Sequence, residues 1–240
     1  MKLRKTLALL LVLAMSVALI GCGSTAKAVD YQFILDACAD WVADTDDLDA
    51  LGTFMGGDYI GDELYTLMKM MVDEGFADMD DLTAGLDDEL GVETGSEIKF
   101  SVQSEKDVDA DTLADYQSDL DNASEALRDV ADQLADLKEL MDSSVAELSD
   151  DDLAELDAQF QEENGMSLDE YLELMNKMCE SFNALADKLD GAKIDKAVTA
   201  TITYKTDDGN AVEDIDFLKI GDCWANSYMI DMLKEMSSIA

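Results

Sequence analysis

Hydrophobic residues recur at two different spacings along this chain, and the change of spacing divides it into regions. Between residues 111 and 190 the apolar positions recur at alternating intervals of three and four, which is typical of amphipathic helices. This spacing predicts two long helices, of roughly 45 Å and 33 Å, with a shorter amphipathic piece between them. The second long helix begins at a capping box formed by Ser167 and Glu170. The three apolar stripes are Leu113, Tyr116, Leu120, Ala123, Leu127, Val130, Leu134, Leu137 and Met141; Leu153, Leu156 and Phe160; and Leu168, Tyr171, Met175, Met178, Phe182, Leu185 and Leu189.

These helices are predicted to pack within one chain. Ser124, Ala126, Ala131 and Gln133 flank the first stripe, where a two-stranded coiled coil would carry charged pairs. Residues 111–190 also hold 24 acidic side chains and 4 basic ones, so two such surfaces would repel each other. We therefore expect a monomer with an intramolecular helical hairpin or three-helix bundle. A self-associating coiled coil is the alternative.

A spacing of two replaces the helical spacing on either side of this block. Residues 96–104 alternate between apolar and polar side chains, which predicts a strand with one buried face. The same alternation over residues 197–206 and 212–220, with a polar turn between them, predicts an antiparallel hairpin. A tight turn, a short strand that carries Trp224 and a last helix are expected to follow.

Helices are also predicted ahead of the first strand. Residues 29–43 place their apolar side chains along one helical stripe, and a second helix follows a glycine-rich stretch at 51–61 that interrupts the regularity. This order of elements predicts an α+β fold, in which N-terminal helices cover an antiparallel sheet. We expect residues 30–110 and 191–240 to form the α+β domain, and residues 111–190 to form a helical insertion.

The first residues of the chain have the pattern of an export signal. Lys2, Arg4 and Lys5 form a basic head, and no charged residue occurs from Thr6 to Gly21. As a helix, the uncharged segment would span about 24 Å, whereas the hydrocarbon core of a bilayer is roughly 30 Å thick. A permanent membrane span is therefore the weaker interpretation.

The end of this segment resembles the lipobox of bacterial lipoproteins. Residues 19–22 read Leu-Ile-Gly-Cys, where an ordinary secretory signal ends in small residues of the Ala-x-Ala kind. The resemblance implies that the Cys22 thiol receives a diacylglyceryl group and that signal peptidase II cleaves between Gly21 and Cys22. Residues 1–21 would be the signal peptide and residues 22–29 a tether, which places the protein at the extracytoplasmic face of the cell membrane. The alternative is a cysteine within a signal that is simply removed.

The charge of the chain limits its partners. It carries 56 acidic and 16 basic residues, a formal net charge of −40. We do not expect nucleic acids or anionic lipid surfaces as partners, because phosphate binding needs lysine and arginine. The simplest interpretation is a solvating surface that keeps an exposed protein soluble. Recognition of cationic ligands, or loose capture of divalent ions, is the alternative.

Several chemistries are excluded by composition. The chain contains no histidine, which excludes Ser-His-Asp triads, Cys-His dyads and His-ligated zinc. The Asp-rich stretch at 44–52 lacks the glycine that an EF-hand loop needs at its sixth position. Besides Cys22, the chain holds Cys38, Cys179 and Cys223, an odd number that leaves either one bridge or isolated thiols. We predict no catalytic residue, no metal site and no cofactor.

Two stretches resemble a group of small uncharacterised lipoproteins of Gram-positive bacteria. They are residues 98–117 and residues 193–227, within which Lys219, Ile220 and Trp224 match the closing motif of that group. The domain of these lipoproteins is similar to the cystatin-like cone of the nuclear transport factor two superfamily. The resemblance implies a curved antiparallel sheet, wrapped by N-terminal helices around a cone-shaped cavity.

Three functions are compatible with this pattern. The preferred hypothesis is a module that binds a ligand or interacts with a protein, displayed by its lipid anchor. The first alternative is a carboxylate-dependent enzyme such as a hydrolase, although 56 acidic residues are too many to single out an acid/base pair. A buried carboxylate with a raised pKa in a cavity would favour this alternative. The second alternative is an accessory solute-binding lipoprotein.

Overall fold

The fold is α+β, as the sequence predicts, with six helices and one four-stranded antiparallel sheet among the residues described. The computed structural model describes residues 29–73, 95–206 and 209–237. The elements in chain order are α1 (Gln32–Ala43), α2 (Leu48–Asp73), β1 (Ser101–Asp107), α3 (Ala110–Val145), α4 (Asp150–Asn164), α5 (Leu168–Leu189), β2 (Ile194–Thr206), β3 (Gly209–Ile220), β4 (Cys223–Asn226) and α6 (Tyr228–Ser237).

The sheet is an open meander in which each strand pairs with the next one along the chain, in the order β1-β2-β3-β4. The predicted hairpin is confirmed, because β2 pairs with β3 from Ile194 opposite Ile220 to Thr206 opposite Gly209. The first strand begins at Ser101, five residues later than predicted. The short strand β4 and the last helix α6 are both present.

One face of the sheet is covered by helices over most of its length. The alternating residues Val198, Ala200, Ile202 and Tyr204 of β2 are all buried. Helix α1 lies over this face, where the ring of Tyr31, next to the helix, stacks on Phe217 of β3 with 4.1 Å between ring centroids. Trp41 and Ile34 of α1 are completely buried in the same core, which includes residues from α1, α2, α3, α5, α6 and the sheet.

Helix α2 bends sharply at Gly57. In a straight helix nine residues rise roughly 13 Å, yet a Cβ atom on Gly52 would lie 2.7 Å from the carbonyl oxygen of Gly61. The backbone of Gly57 has φ 60° and ψ −146°, a conformation that is essentially restricted to glycine. The predicted interruption over residues 51–61 is therefore confined to Gly57, and the chain is helical on both sides of it.

Helices α3, α4 and α5 form an arm that begins against the rest of the protein and ends away from it. Near its base, Ser124 of α3 donates a hydrogen bond to the backbone oxygen of Ala186 of α5, at 3.0 Å, and both residues are buried. The base of the arm is part of the main core. The end of the arm, which we name the tip, has a separate small cluster in which only Leu168, Leu172 and Met175 are fully buried.

The predicted helical stripes are present, with one correction. The capping box at the start of α5 forms as predicted between Ser167 and Glu170. Leu137, which the sequence places in the buried stripe of α3, is 45 % exposed. The stripe therefore loses its cover before it ends, because within the described ranges α3 packs at the tip only on α4 and on the start of α5.

Candidate functional site

A small cavity lies between the covered face of the sheet and helices α1, α2 and α6. The space available to the centre of a water molecule is about 10 Å³, which is just enough for one water. The side chains that line the cavity therefore leave almost no empty space between them. Its lining residues are Leu35, Cys38, Phe54, Phe100, Ile202, Glu213, Ile215 and Tyr228.

Glu213 is the carboxylate of this cavity. It lies on β3 opposite Ile202, so its side chain points to the covered face of the sheet. The hydroxyl group of Tyr204, on the neighbouring strand, donates a hydrogen bond to Oε1 of Glu213 at 2.8 Å. Burial raises the pKa of Glu213 above its usual value, and the hydrogen bond from Tyr204 offsets part of this rise. The cavity thus contains a carboxyl group that retains its proton more readily than a solvated one.

Burial also raises the pKa of the other titratable groups of the cavity. Burial raises the pKa of the Cys38 thiol, and the nearby charge of Glu213 raises it further. Burial raises the pKa of Tyr228 as well, again with a contribution from Glu213. A thiol must lose its proton before it can attack an electrophile. The raised pKa values therefore favour the protonated forms of Cys38 and Tyr228.

Pairs of a tyrosine and a carboxylate recur in this protein. The hydroxyl group of Tyr31 donates to Oε1 of Glu105 at 2.8 Å, and this pair connects the segment before α1 to β1. On the other face of the sheet, Tyr116 of α3 donates to Oδ2 of Asp216, also at 2.8 Å. Such pairs connect neighbouring segments at several places in the fold, and the contact between Tyr204 and Glu213, which joins β2 to β3, is one of them.

The tip of the arm exposes leucine side chains. Leu137, Leu140 and Leu148 are 45 %, 64 % and 40 % exposed, and they are the large hydrophobic residues exposed among the residues described. All three lie at the C-terminal end of α3 or in the turn that follows it. We name these three residues the tip patch. Large exposed apolar patches mark interaction surfaces, so these three leucines are the candidate for one in this part of the arm.

The arm around this patch is strongly acidic. Its four basic residues already contact carboxylates: Arg128 contacts Asp187 and Asp190, and Lys138, Lys177 and Lys188 contact Asp142, Glu173 and Glu63. Helix α4 contains seven acidic residues and no basic one. The surface near the tip patch therefore presents an excess of negative charge that the arm itself does not neutralise.

The predicted cleavage and lipidation residues, Gly21 and Cys22, lie outside the described residues, so both assignments stay predictions. Cys38 is a buried free thiol, and Cys179 and Cys223 are half-buried free thiols. In the described ranges, no three side chains of the metal-binding types come together as a site. No helix in those ranges combines the length and the apolar character needed to cross a membrane.

Sequence analysis missed two features, Glu213 and the tip patch. A signal for Glu213 was present, because it shares the inward register of Ile215 and Phe217 on β3. An acidic residue at an inward position of an alternating strand indicates a buried carboxylate. No comparable signal identified the tip patch, since Leu137 continues the stripe of residues that are buried in the rest of α3.

Comparisons with known proteins do not identify this chain. No family model matches it, and neither the curated proteins nor the solved structures provide a match.

Proposed function

We propose that this protein is a membrane-anchored extracytoplasmic lipoprotein, and that its helical arm is a protein-interaction module. The proposed anchor is supported by the basic head, the uncharged segment and the Leu-Ile-Gly-Cys sequence that ends at Cys22. Two or more acyl chains on one residue would give a durable attachment, because a single chain binds membranes only marginally.

The observation that carries the interaction role is the tip patch. A leucine that is 64 % exposed, such as Leu140, keeps most of its apolar surface in water. Burial of apolar surface contributes about 25 cal/mol per Å², so covering the patch with a partner is favourable. The position of the patch at the free end of the arm makes it accessible to a partner that approaches a protein fixed at its N-terminus.

We also propose that the sheet and the N-terminal helices belong to the cystatin-like cones. The support is a four-stranded antiparallel meander with α1 and α2 packed on one face, together with the sequence resemblance in residues 98–117 and 193–227. Residual dipolar couplings of the backbone amides in solution test this proposal through the curvature of the sheet. Strands that bend around α1 are expected, and a flat sheet would contradict the assignment.

The carboxylate-dependent enzyme is the weaker alternative. Glu213 has the raised pKa that this alternative requires. However, the cavity beside Glu213 has room for about one water molecule, and a substrate could not enter without displacing core side chains. The small volume of this cavity argues in the same way against an accessory solute-binding role that would use it.

The anchor is tested by the intact mass of the protein recovered from membranes of a Gram-positive host. We expect the wild-type chain to begin at Cys22 and to carry a diacylglyceryl group, whereas Cys22→Ala should retain residues 1–21 and carry no lipid. The matched control is Cys179→Ala, which removes a half-buried thiol from α5 and should be processed like the wild type. A wild-type chain that is unmodified, or that is cleaved without a lipid, would contradict the proposal.

A further inference from the structure

Two leucines of the tip patch lie side by side near the end of α3, and the third lies in the turn that follows it. Successive residues of a helix are rotated by about 100°, so Leu137 and Leu140 are neighbours on its surface. The helix ends at Val145, but the chain keeps turning, because the backbone N–H of Leu148 donates to the carbonyl oxygen of Val145 at 3.1 Å. Leu148 therefore lies within one turn of the end of α3. From Leu137 to the end of α3 at Val145 the helix rises roughly 12 Å.

The tip patch borders the small apolar cluster of the tip. Leu134, Met141 and Val145 of α3 are only partly buried where they pack against the start of α5 and against α4. In a complete helical bundle, such residues are covered by neighbouring helices at interaxial distances of about 8–10 Å. Here the patch leaves one side of α3 uncovered among the described residues. A further helix packed along this side of α3 would cover the exposed leucines.

The charge at the tip selects among the possible occupants. Asp136, Glu139 and Glu147 are exposed on α3 and in the turn after it, and α4 adds seven acidic residues without a basic one. A second copy of this chain would bring the same negative charge to the contact, and an anionic bilayer would be repelled in the same way. A helix that carries lysine or arginine beside its apolar face would instead gain attraction from these carboxylates.

We propose that the tip patch binds a cationic amphipathic helix of another polypeptide. In this complex the apolar face of the partner covers Leu137, Leu140 and Leu148, and its basic side chains lie near Asp136 and Glu147. The inference rests on the proposed function, because it names the class of partner that the interaction module recognises. In this proposal the leucines provide most of the binding affinity, and the acidic residues select a partner that carries positive charge.

The test uses the full-length chain in phosphatidylcholine nanodiscs and an 18-residue helical peptide of lysine and leucine, labelled for fluorescence anisotropy. We expect saturable binding above that of empty nanodiscs. Leu137→Ser combined with Leu140→Ser should weaken the binding at least about tenfold. Asp136→Asn combined with Glu147→Gln should weaken it about threefold and reduce its dependence on salt.

The matched control removes two negative charges from α3 away from the tip. Glu125 and Asp129 are exposed on the same helix, near its base. Glu125→Gln combined with Asp129→Asn should bind the peptide like the wild type. A glutamate-leucine peptide of the same apolar pattern should not bind, because its charge matches that of the arm. Circular dichroism of each variant should show an unchanged helix content, since all the altered side chains are exposed.

Three results would overturn the inference. The first is equal binding of the basic peptide to the wild type and to the leucine variant. The second is binding of the acidic peptide as tightly as the basic one, and the third is a wild-type dimer that the leucine variant loses.

A photo-crosslinker at residue 140 in living cells separates failure of this inference from failure of the proposed function. Adducts at that position without peptide binding would mean that the arm recognises a partner of different chemistry. Absence of a lipid on Cys22 would instead remove the anchor and leave the peptide result unaffected.

Discussion

The two ends of helix α3 have the same hydrophobic repeat but different surroundings. In its first half, Leu120 and Leu127 are completely buried in the main core, to which α5, α6 and the sheet also contribute. Beyond Ala131, no described side chain of the helix is fully buried, and Leu137 and Leu140 are largely exposed. The repeat therefore specifies which side of a helix is apolar, but it does not specify what covers that side.

The difference also has consequences for stability within the arm. At the base, Arg128 of α3 donates hydrogen bonds to Asp187 of α5 and to Asp190, which caps α5. The buried hydrogen bond from Ser124 to Ala186 lies in the same part of the arm. At the tip, three buried side chains and several partly buried ones hold three helix ends together. Regions with few buried apolar contacts open locally at lower free energy than a core does. We expect the tip to exchange its amide hydrogens faster than the base.

The largest difference in stability between the main core and the tip is expected when a glycine is substituted in each of them. A Cβ atom on Gly57 would lie 1.7 Å from the carbonyl oxygen of Trp224, and φ at this residue is 60°. The bend also places Asp58 so that its carboxylate accepts a hydrogen bond from the backbone N–H of Trp224. Gly57→Ala should therefore lower the free energy of unfolding by more than about 4 kcal/mol, measured by urea denaturation of the full chain.

The matched substitution at the tip is Gly165→Ala. Gly165 ends α4 with φ 80°, but an added Cβ would meet no atom within 4 Å. Only the cost of a left-handed backbone remains, so the loss should be about 1–2 kcal/mol, and Gly165→Asn should lose less. Equal losses for Gly57→Ala and Gly165→Ala would mean that α2 does not make the close contact with β4.

An intermediate effect is expected along α3 itself. Leu127→Ala removes a completely buried side chain and should lower the free energy of unfolding by about 2–5 kcal/mol. Leu137→Ala removes a side chain of the same stripe that is 45 % exposed, and it should cost less than about 1 kcal/mol. Thermal unfolding followed by circular dichroism measures both. Comparable losses would show that the tip is covered in solution as completely as the base is.

The elements of this fold are largely predictable because each depends on local spacing. The change from a period of 3.6 to a period of two indicates the helices and the hairpin, and the capping box at Ser167 marks the start of α5. The delayed start of β1 is less predictable. Ile98 and Phe100 are buried like strand residues, but the backbone pairing with β2 begins only at Ser101. Alternation reports burial, whereas a strand also requires a hydrogen-bonded neighbour.

Features that depend on contacts between distant segments are not predictable in this way. The bend at Gly57 is defined by Trp224, which lies far along the chain, and the exposure of Leu137 depends on how far α4 and α5 extend. The candidate site has the same property. Glu213 belongs to a cavity because Cys38, Phe54 and Tyr228 come to it from three different helices. A single sequence contains the register of Glu213 but not these neighbours.

The smallest expected effect concerns how stability depends on pH, which should have opposite signs for one glutamate in the main core and one at the tip. Burial raises the pKa of Glu213 in the main core above 4.5. The folded state then favours the protonated form of Glu213. The contribution of Glu213 to stability is therefore full below pH 4.5, and it is lost as the pH rises through the raised pKa. At the tip, hydrogen bonds from Ser167 lower the pKa of Glu170 below 4.5. Its contribution is present above pH 4.5 and is lost as the pH falls through the lowered pKa.

Two substitutions of glutamate by glutamine separate these contributions. Glu213→Gln removes a charge that is unfavourable in the core and still lets Tyr204 donate its hydrogen bond, so the variant should be more stable than the wild type at pH 7 and equal to it in acid. Glu170→Gln should be less stable at pH 7 and also equal in acid, with the loss confined to the amides at the start of α5. Urea titrations at several pH values measure the global effect, and hydrogen exchange locates it. Glu97→Gln, at an exposed position, controls for the change in net charge. If Glu213→Gln were destabilising at pH 7, the ionised carboxylate would be a favourable partner of Tyr204, and the raised pKa would be wrong.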